Sequence, residues 1–419
     1  MLGFAIIASA CGSSATPGPS SSASIAPTSV SASASSAAAL GTNSASPSDL
    51  ATFVTIEKQV EALRGLHARA PVTPVLLDSA GLQAMLTKID SEQTDHQALT
   101  AEGRLFIDLG LLPAGSSLEQ LELDLDAGQV IGFYDTVSKG LYVLSDSGGL
   151  GAIEKATFAH EYTHALQDQN FGLDKLAIDT ADQSDRDLAR TSLAEGDATL
   201  LMTQWMIHNL SALDLLAIGN DPSSAAQADQ LAKAPAILRQ TLMFPYEQGL
   251  AFVEGVYNKG GWAAVDRLYD SPPDSSSQIL HPDLFTSGVA PVAVRVPVVP
   301  ASLGSGWKLT MQDTLGELQL RIWLEGESPT DAATKAAALA TAEWGGDRVG
   351  LYEGPDGAWA VVLRTAWRAG EGEGDFQSAA VVRLGSSTSL VCDSGGDVSV
   401  FLASDDATLR AFAPCASAT

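Results

Sequence analysis

The chain is poor in basic residues, and it lacks any long apolar run. It has 23 lysines and arginines against 50 aspartates and glutamates, which gives a net charge of −27 over 419 residues. Such a chain has no basic stripe that could replace the counterions of nucleic-acid phosphates, and this excludes nucleic acid as a partner. No stretch reaches the roughly 18 consecutive apolar residues that a membrane-spanning helix needs. With 45% hydrophobic residues, the chain can still build cores for two or three domains.

The first 48 residues contain no charged side chain. Residues 1–11, "MLGFAIIASAC", form a short apolar run that ends in small residues before Cys11, as bacterial lipoprotein signals do, although no lysine or arginine precedes the run. Residues 12–48 are nearly all Ser, Ala, Pro, Thr and Gly, which predicts a disordered tether. We expect an exported protein that is anchored to the cell membrane only by a lipid on Cys11 and faces the extracytoplasmic side. The alternative is an ordinary N-terminus with a chance cysteine.

The other two cysteines, Cys392 and Cys415, lie near the C-terminus. In an oxidising compartment this even pair can close a loop of modest length, whereas the alternative is two buried thiols. Because the N-terminal pattern indicates export, we predict a disulfide between them.

Hydrophobic periodicity divides the chain after the tether into three parts. Residues 49–126 predict a helical lead-in with Ser48 or Asp49 as its N-cap, and a loose boundary near Thr286 separates a core over 127–285 from a C-terminal α/β region over 286–419. The individual predictions are a β-hairpin over 129–146, a helix over 152–170, a helix over 186–210, two helices within 245–270, helices over 315–325 and 329–343, and strands over 349–352 and 358–366.

Two histidines four residues apart, His160 and His164, lie within "TFAHEYTHALQDQ". On a helix, residues i and i+4 share one face, so both imidazoles can bind one metal ion. Glu161 follows the first histidine, where its carboxylate can take a proton from a metal-activated water and deliver it to a leaving amine. A chance H-E-x-x-H match in a chain of this length is on the order of a few per thousand. The uncharged neighbours of the motif are typical of a buried helix.

A catalytic zinc usually has a third protein ligand and one open position. Gln167 and Asn170 stand where a metzincin would have Gly and His, which excludes that family. Glu195, in "SLAEGDATLL", has small and apolar neighbours, among which a carboxylate has no reason to be buried unless a positive charge is near. We predict Glu195 as the third ligand of one Zn²⁺. The alternative is a helix-surface carboxylate or a partner of Arg190.

Two aspartates are candidates for the outer shell of this metal site. Asp168 and Asp197 can each accept a hydrogen bond from the second nitrogen of a ligating imidazole. Asp168 lies on the same helical face as both histidines, which also makes it a rival ligand. Solvated or capping roles stay open for both.

The motif resembles those of a family of largely uncharacterised bacterial and archaeal proteins that are regarded as zinc metallopeptidases of the gluzincin type, in which two histidines and a downstream glutamate hold zinc. The resemblance runs from about Glu57 to Phe376. Tyr162 stands where Leu is more usual, and Ser277 stands where Glu is expected. The other segments that carry the resemblance are "AEGDATLL", "GFYDTVSKGLYVLSD", "PYEQGLAFVEGVYNKGGW", "QILHPDLF" and "EWGGDRVGLY".

The resemblance implies an α+β, zincin-like fold, with a mostly helical catalytic domain, a β-hairpin or small sheet beside the active-site helix, and a smaller C-terminal α/β region. It implies His160, His164 and Glu195 as the zinc ligands and Glu161 as the general base. The strand beside the active helix of zincins often binds substrate as an added strand. Here that strand consists of Gly132, Phe133 and Tyr134.

The tetrahedral oxyanion of peptide hydrolysis needs a donor besides zinc. His281, in the "LHP" segment that the resemblance covers, is the first candidate, and Tyr246 and Tyr257 follow it. The alternative for His281 is a structural imidazole.

These observations predict an exported zinc metallopeptidase that hydrolyses peptide bonds of a protein or peptide substrate through a zinc-activated water, with a glutamate as general base. Two alternatives stay open. One is a non-catalytic cell-surface lipoprotein that keeps the zincin scaffold for binding or assembly, and the other is a zinc hydrolase of a non-protein amide. The intact glutamate of the motif argues against the first alternative, because degenerate scaffolds usually lose it first.

Overall fold

The computed structural model describes residues 42–43, 45–145, 150–176, 178, 180–368, 372–385, 388–393 and 395–413. Cys11, Cys415 and most of the predicted tether lie outside these residues. Within them the chain is a mixed α/β protein with more helix than strand and two small sheets. No described helix combines the length and the apolar character that crossing a bilayer requires. Cys392 is disulfide-bonded.

Helices and strands are numbered separately along the chain. The helices of the described residues are α1 (Pro47–Arg64), α2 (Ser79–Gln93), α3 (His96–Asp108), α4 (Leu118–Gln129), α5 (Ala152–Phe171), α6 (Ser184–Asn209), α7 (Ala212–Gly219), α8 (Pro222–Lys233), α9 (Ala236–Phe244), α10 (Leu250–Gly260), α11 (Trp262–Asp266), α12 (Ser276–Leu280), α13 (Pro282–Thr286), α14 (Gly316–Glu325), α15 (Asp331–Thr341), α16 (Glu373–Leu384) and α17 (Asp406–Phe412). The strands are β1 (Thr42–Asn43), β2 (Pro74–Leu77), β3 (Gly132–Asp135), β4 (Gly140–Leu144), β5 (Lys308–Asp313), β6 (Trp344–Glu353), β7 (Trp359–Trp367), β8 (Ser389–Asp393) and β9 (Asp397–Ala403).

The chain divides into two compact units. The first unit contains α1, α2, β1 to β4, α5 and α7, and the second contains α3, α4 and every element from α9 onwards. Helix α6 is continuous, with its residues up to Leu200 assigned to the second unit and those from Leu201 to the first. Helix α8 is divided after Ser224.

The first unit is built around a four-stranded sheet in the order β1-β2-β4-β3. Strand β2 pairs in parallel with β4, and β3 pairs with β4 as an antiparallel hairpin, so β3 is an edge strand of the described sheet. Asp135 ends β3 in a side-chain turn, because its carboxylate accepts hydrogen bonds from the N–H groups of Val137 and Ser138. The hairpin predicted from the sequence is confirmed.

Helix α5 packs against α1 and against the hairpin strands. All of its residues from Ala156 to Asp168 are buried, which matches a helix without charged neighbours around its motif. Phe158 packs on Phe53 of α1 with ring centroids 4.4 Å apart. The hydroxyl of Tyr162 donates a hydrogen bond to Glu61 at 3.0 Å. Tyr162, one of the two departures from the resembling family, therefore ties α5 to α1.

The second unit is built around a five-stranded antiparallel sheet in the order β5-β6-β7-β9-β8. The middle of β7, Val361 to Leu363, is fully buried, as expected for a strand covered on both faces. An extended segment over 289–300 runs along β6, where the N–H of Val292 donates to the carbonyl of Gly345 and the hydroxyl of Tyr352 donates to the carbonyl of Pro297. This segment is the Val- and Pro-rich stretch of the sequence.

Three buried aspartates of the second unit cap the starts of helices. Asp313, at the end of β5, accepts hydrogen bonds from the N–H and the hydroxyl of Ser184, where α6 begins. Asp347, in β6, accepts from the two N–H groups at which α14 begins. Asp185 accepts from the N–H of Ser276, where α12 begins. The sheet thereby holds the N-terminus of α6, and burial raises the pKa of Asp185 to about 8 and that of Asp347 to about 6.

Some boundaries differ from the sequence-based predictions. Helix α1 begins directly after Ser46, which forms a capping box with Asp49, so the helix starts earlier than predicted and takes in the last residues of the predicted tether. Strand β2 was not predicted, because its four residues show no alternation and depend on pairing with β4. The lead-in over 49–126 is split between the two units, and the chain stays within the second unit at Thr286.

Candidate metal centre

The H-E-x-x-H motif lies in the middle of α5. His160 and Glu161 are fully buried, and His164 is 3% exposed. The Nε2 atoms of the two histidines lie 3.1 Å apart. Two nitrogens bound at 2.0–2.1 Å to one tetrahedral zinc ion would lie about 3.3 Å apart. The helix therefore presents both nitrogens to one point, at a separation that suits a shared ion.

Glu195, on α6, supplies the third candidate ligand. Among the described residues, His160, His164 and Glu195 form the one group of three or more His, Cys, Asp or Glu side chains that could hold a metal ion, with one ligand atom of each within 4.8 Å of the others. Two imidazole nitrogens and a carboxylate oxygen are donors that Zn²⁺ prefers. Three protein ligands leave a tetrahedral ion one open position, which fits a catalytic zinc site better than a structural site with four protein ligands.

The backbone of α6 is held closely beside Glu195. A Cβ atom on Gly196 would lie 2.3 Å from the carbonyl oxygen of Gly249, and a Cβ on Gly249 would lie 2.3 Å from the carbonyl oxygen of Ser192. These separations are far below van der Waals contact, so only glycine fits at both positions. The π-helical turn Pro245–Gly249, between α9 and α10, therefore packs directly on the turn of α6 that carries Glu195.

Strand β3 passes close to α5 beside Glu161. A Cβ on Gly132 would lie 2.6 Å from Cγ2 of Thr157 and 3.6 Å from Cγ of Glu161. Glycine is thus required for this approach, as is common where a strand comes close to another backbone or a ligand. An extended peptide that paired with the edge of β3 would be brought near the glutamate of the motif.

A glutamine partners the other ring nitrogen of His164. Oε1 of Gln167 lies 2.8 Å from Nδ1 of His164, and both side chains are buried. In the sequence, Gln167 stands out only because a metzincin would have glycine at this position. The available signal was its i+3 spacing from His164, which places the two side chains on neighbouring positions of one helix face.

The two aspartates predicted for the outer shell have other partners. Asp168 accepts hydrogen bonds from the hydroxyl of Tyr134 at 2.9 Å and from the ammonium of Lys139 at 2.6 Å. Both partners belong to the hairpin and neither is an imidazole, so the outer-shell role of Asp168 stays a prediction. Asp197 accepts a hydrogen bond from the hydroxyl of Tyr269 at 2.8 Å.

The side chains of the predicted substrate strand are used in packing. The hydroxyl of Tyr134 is bonded to Asp168, and burial raises the pKa of Tyr134. The ring of Phe133 stacks on Tyr142 of β4 with centroids 4.7 Å apart. What β3 can offer an extended peptide is therefore the backbone of its edge.

The predicted oxyanion donors lie in the second unit. Nε2 of His281 is 2.8 Å from Oε1 of Glu317, and this hydrogen bond raises the pKa of His281. His281 therefore has a structural partner, the carboxylate of Glu317. Tyr246 is buried in the π-helical turn that packs on α6, and Tyr257 packs against Trp262 with ring centroids 4.8 Å apart.

The second departure from the resembling family, Ser277, lies beside an arginine. The guanidinium of Arg368 donates a hydrogen bond to the hydroxyl of Ser277 at 3.2 Å and forms an ion pair with Glu343 at 3.3 Å. Arg368 therefore forms its ion pair with Glu343, because position 277 holds a serine in this chain.

Comparison with known proteins gives one family model. This model, a domain of unknown function (DUF8575), matches residues 308–409, which run from β5 into α17. The match coincides with the five-stranded sheet and its helices, and it does not include the candidate metal ligands. No curated protein and no solved structure matches the chain.

Proposed function

We propose that this protein is a zinc-dependent peptidase with a zincin-like centre. One Zn²⁺ would be bound by His160, His164 and Glu195, with Glu161 as the general base, and the substrate would be a protein or peptide. The observation that carries the proposal is the convergence of two imidazole nitrogens and one carboxylate oxygen on one buried point, next to the buried glutamate of an H-E-x-x-H motif.

The residues around this point have distinct roles in the proposed hydrolysis. A bound zinc ion would act as a Lewis acid, polarising the scissile carbonyl and acidifying a water molecule. Glu161 would take a proton from the attacking water and pass it to the leaving amine. The edge of β3 would hold the peptide extended through main-chain hydrogen bonds. Because the ligands and Glu161 are at most 3% exposed, a peptide would reach them only after an opening movement.

We further propose that the peptidase works outside the cytoplasm on a lipid anchor at Cys11. The disulfide bond of Cys392 supports this location, because such bonds persist mainly in oxidising compartments. A short lipoprotein-like run followed by an uncharged tether is the second support.

The test combines metal analysis with cleavage of an unfolded protein substrate. The wild-type protein should bind about one zinc per chain and cleave the substrate. Glu161→Gln should keep its zinc and lose cleavage by at least about 100-fold, since general acid–base catalysis contributes roughly that much or more. His160→Ala should lose tight zinc binding, because a site with two protein ligands holds the ion weakly.

Each contrary result identifies a different error. Wild-type protein without zinc would overturn the metal site. Zinc without cleavage in any form would favour the non-catalytic scaffold or a non-protein amide as substrate. Cleavage that persists at full rate in Glu161→Gln would overturn the role of Glu161.

A further inference from the structure

The outer partner of His164 is a neutral amide rather than a carboxylate. The Nδ1 atom of His164 lies 2.8 Å from Oε1 of Gln167, within normal hydrogen-bond length. Amide Oε1 is an acceptor only, so the imidazole must donate this bond from Nδ1–H. In a neutral imidazole, a proton on Nδ1 leaves Nε2 with its lone pair. The Nε2 atom is the one that lies 3.1 Å from Nε2 of His160.

Burial makes the loss of this hydrogen bond costly. Gln167 is fully buried and His164 is 3% exposed, so bulk water cannot replace the amide as acceptor. Removing the acceptor would take this hydrogen bond from the buried imidazole, which costs roughly 1 kcal/mol and allows the ring to rotate or change tautomer. Either change turns the lone pair of Nε2 away from the position where a metal ion would be shared with His160 and Glu195.

We propose that Gln167 positions His164 for zinc, and that its neutrality sets a zinc affinity below the one a carboxylate at the same place would give. The inference rests on the proposed function and names the residue that tunes its metal site. Outer-shell partners of ligating histidines are commonly carboxylates, backbone carbonyls or water, and they raise the basicity of the ligand. An amide orients the ring in the same way, but it adds no negative charge behind it.

Two substitutions separate orientation from charge. Gln167→Met keeps a similar volume and removes the acceptor, so zinc should bind about 10–100-fold more weakly. Gln167→Glu keeps an acceptor oxygen and adds a negative charge, so zinc should bind more tightly than in wild type. This order, with the methionine variant weakest and the glutamate variant tightest, is the one expected when position 167 supplies the acceptor for His164.

Gln169 is the matched control, because it is a second glutamine on α5, two residues further along. Its Oε1 accepts hydrogen bonds from the N–H groups of Arg69 and Ala70 and does not bond an imidazole. Gln169→Met should lower the melting temperature of the metal-free protein and leave zinc affinity unchanged.

The measurement is zinc affinity by competition with a chromophoric chelator, using the whole protein, alongside thermal unfolding of the metal-free form. The visible spectrum of the cobalt(II) protein adds a readout of ligand geometry, which should change in Gln167→Met and stay as in wild type in Gln167→Glu. The expected result is a loss of affinity in Gln167→Met that exceeds any loss in Gln169→Met.

The possible failures are distinguishable. Wild-type protein that binds no zinc would overturn the proposed function and this inference with it. Wild-type binding with unchanged affinity in Gln167→Met would overturn the inference alone, as would an equal loss in Gln169→Met. Should Gln167→Met fail to fold, Gln167→Glu provides the test, and zinc binding no tighter than wild type in that variant would refute the inference.

Discussion

Substituting Gly196 by alanine tests whether the crossing of α6 and the π-helical turn positions Glu195. The added Cβ would lie 2.3 Å from the carbonyl oxygen of Gly249 and 2.4 Å from its carbonyl carbon. Both atoms belong to the backbone, so no side chain can rotate to make room. The two segments would have to separate by about 1 Å to restore ordinary contact distances of roughly 3.5 Å.

Two opposing effects set the magnitude. Alanine in a helix interior is more stable than glycine by roughly 0.5–1 kcal/mol. Overpacking that forces a backbone shift costs roughly 1–3 kcal/mol. The cost of the clash should therefore exceed the gain from alanine. The free energy of unfolding of Gly196→Ala should be about 1–2 kcal/mol below that of wild type. Because the shift occurs next to Glu195, zinc affinity should also fall, by about tenfold or more, since productive metal geometry tolerates only about 0.5 Å.

The assay is urea unfolding followed by circular dichroism, with zinc affinity measured by chelator competition. Gly255, in α10, provides the matched control, because a Cβ at that position has no atom within 4 Å. Gly255→Ala should stabilise the protein by roughly 0.5–1 kcal/mol and leave zinc affinity unchanged. If Gly196→Ala shifts the urea midpoint upward as Gly255→Ala does, the close crossing is absent from the protein in solution and the reasoning is refuted.

Two further predictions concern the edge strand and the buried aspartates. Gly132→Ala places a Cβ 2.6 Å from Cγ2 of Thr157, so the substitution should displace β3 from α5. Peptide cleavage should fall by about tenfold or more, while zinc content should stay at the wild-type level. Loss of zinc would contradict the assignment of β3 to substrate binding. Burial raises the pKa of Asp185 to about 8, above its ordinary 3.8, so the folded state holds a proton that the unfolded state releases. Stability should therefore fall as pH rises between about 5 and 8, by up to about 1.4 kcal/mol per pH unit. Asp185→Asn should flatten this dependence in urea midpoints measured across that range, and an unchanged slope would show that Asp185 is not its source.

The predictions that relied on residue spacing within single helices and hairpins were the strongest ones made from the sequence. The helix over 152–170 and the hairpin around Gly140 follow from periodicity and turn chemistry within about 20 residues, and the structure places both where they were expected. The shared face of His160 and His164 is a property of any helix, so it needed no tertiary information. The same rule made Asp168 a reasonable candidate, but its carboxylate is engaged by Lys139, whose position depends on how the hairpin folds.

The sequence by itself determined the helix that carries the two candidate histidine ligands, because the i, i+4 geometry is decided by backbone hydrogen bonds within that helix. It also determined which residue types could serve as ligands and base. The tertiary structure alone decided that β2 pairs with β4, that Gly196 meets Gly249, and that Gln167 rather than an aspartate partners His164. The physical reason is that the first two depend on residues distant along the chain, and the third depends on competition among neighbouring acceptors for one N–H, which only packing resolves.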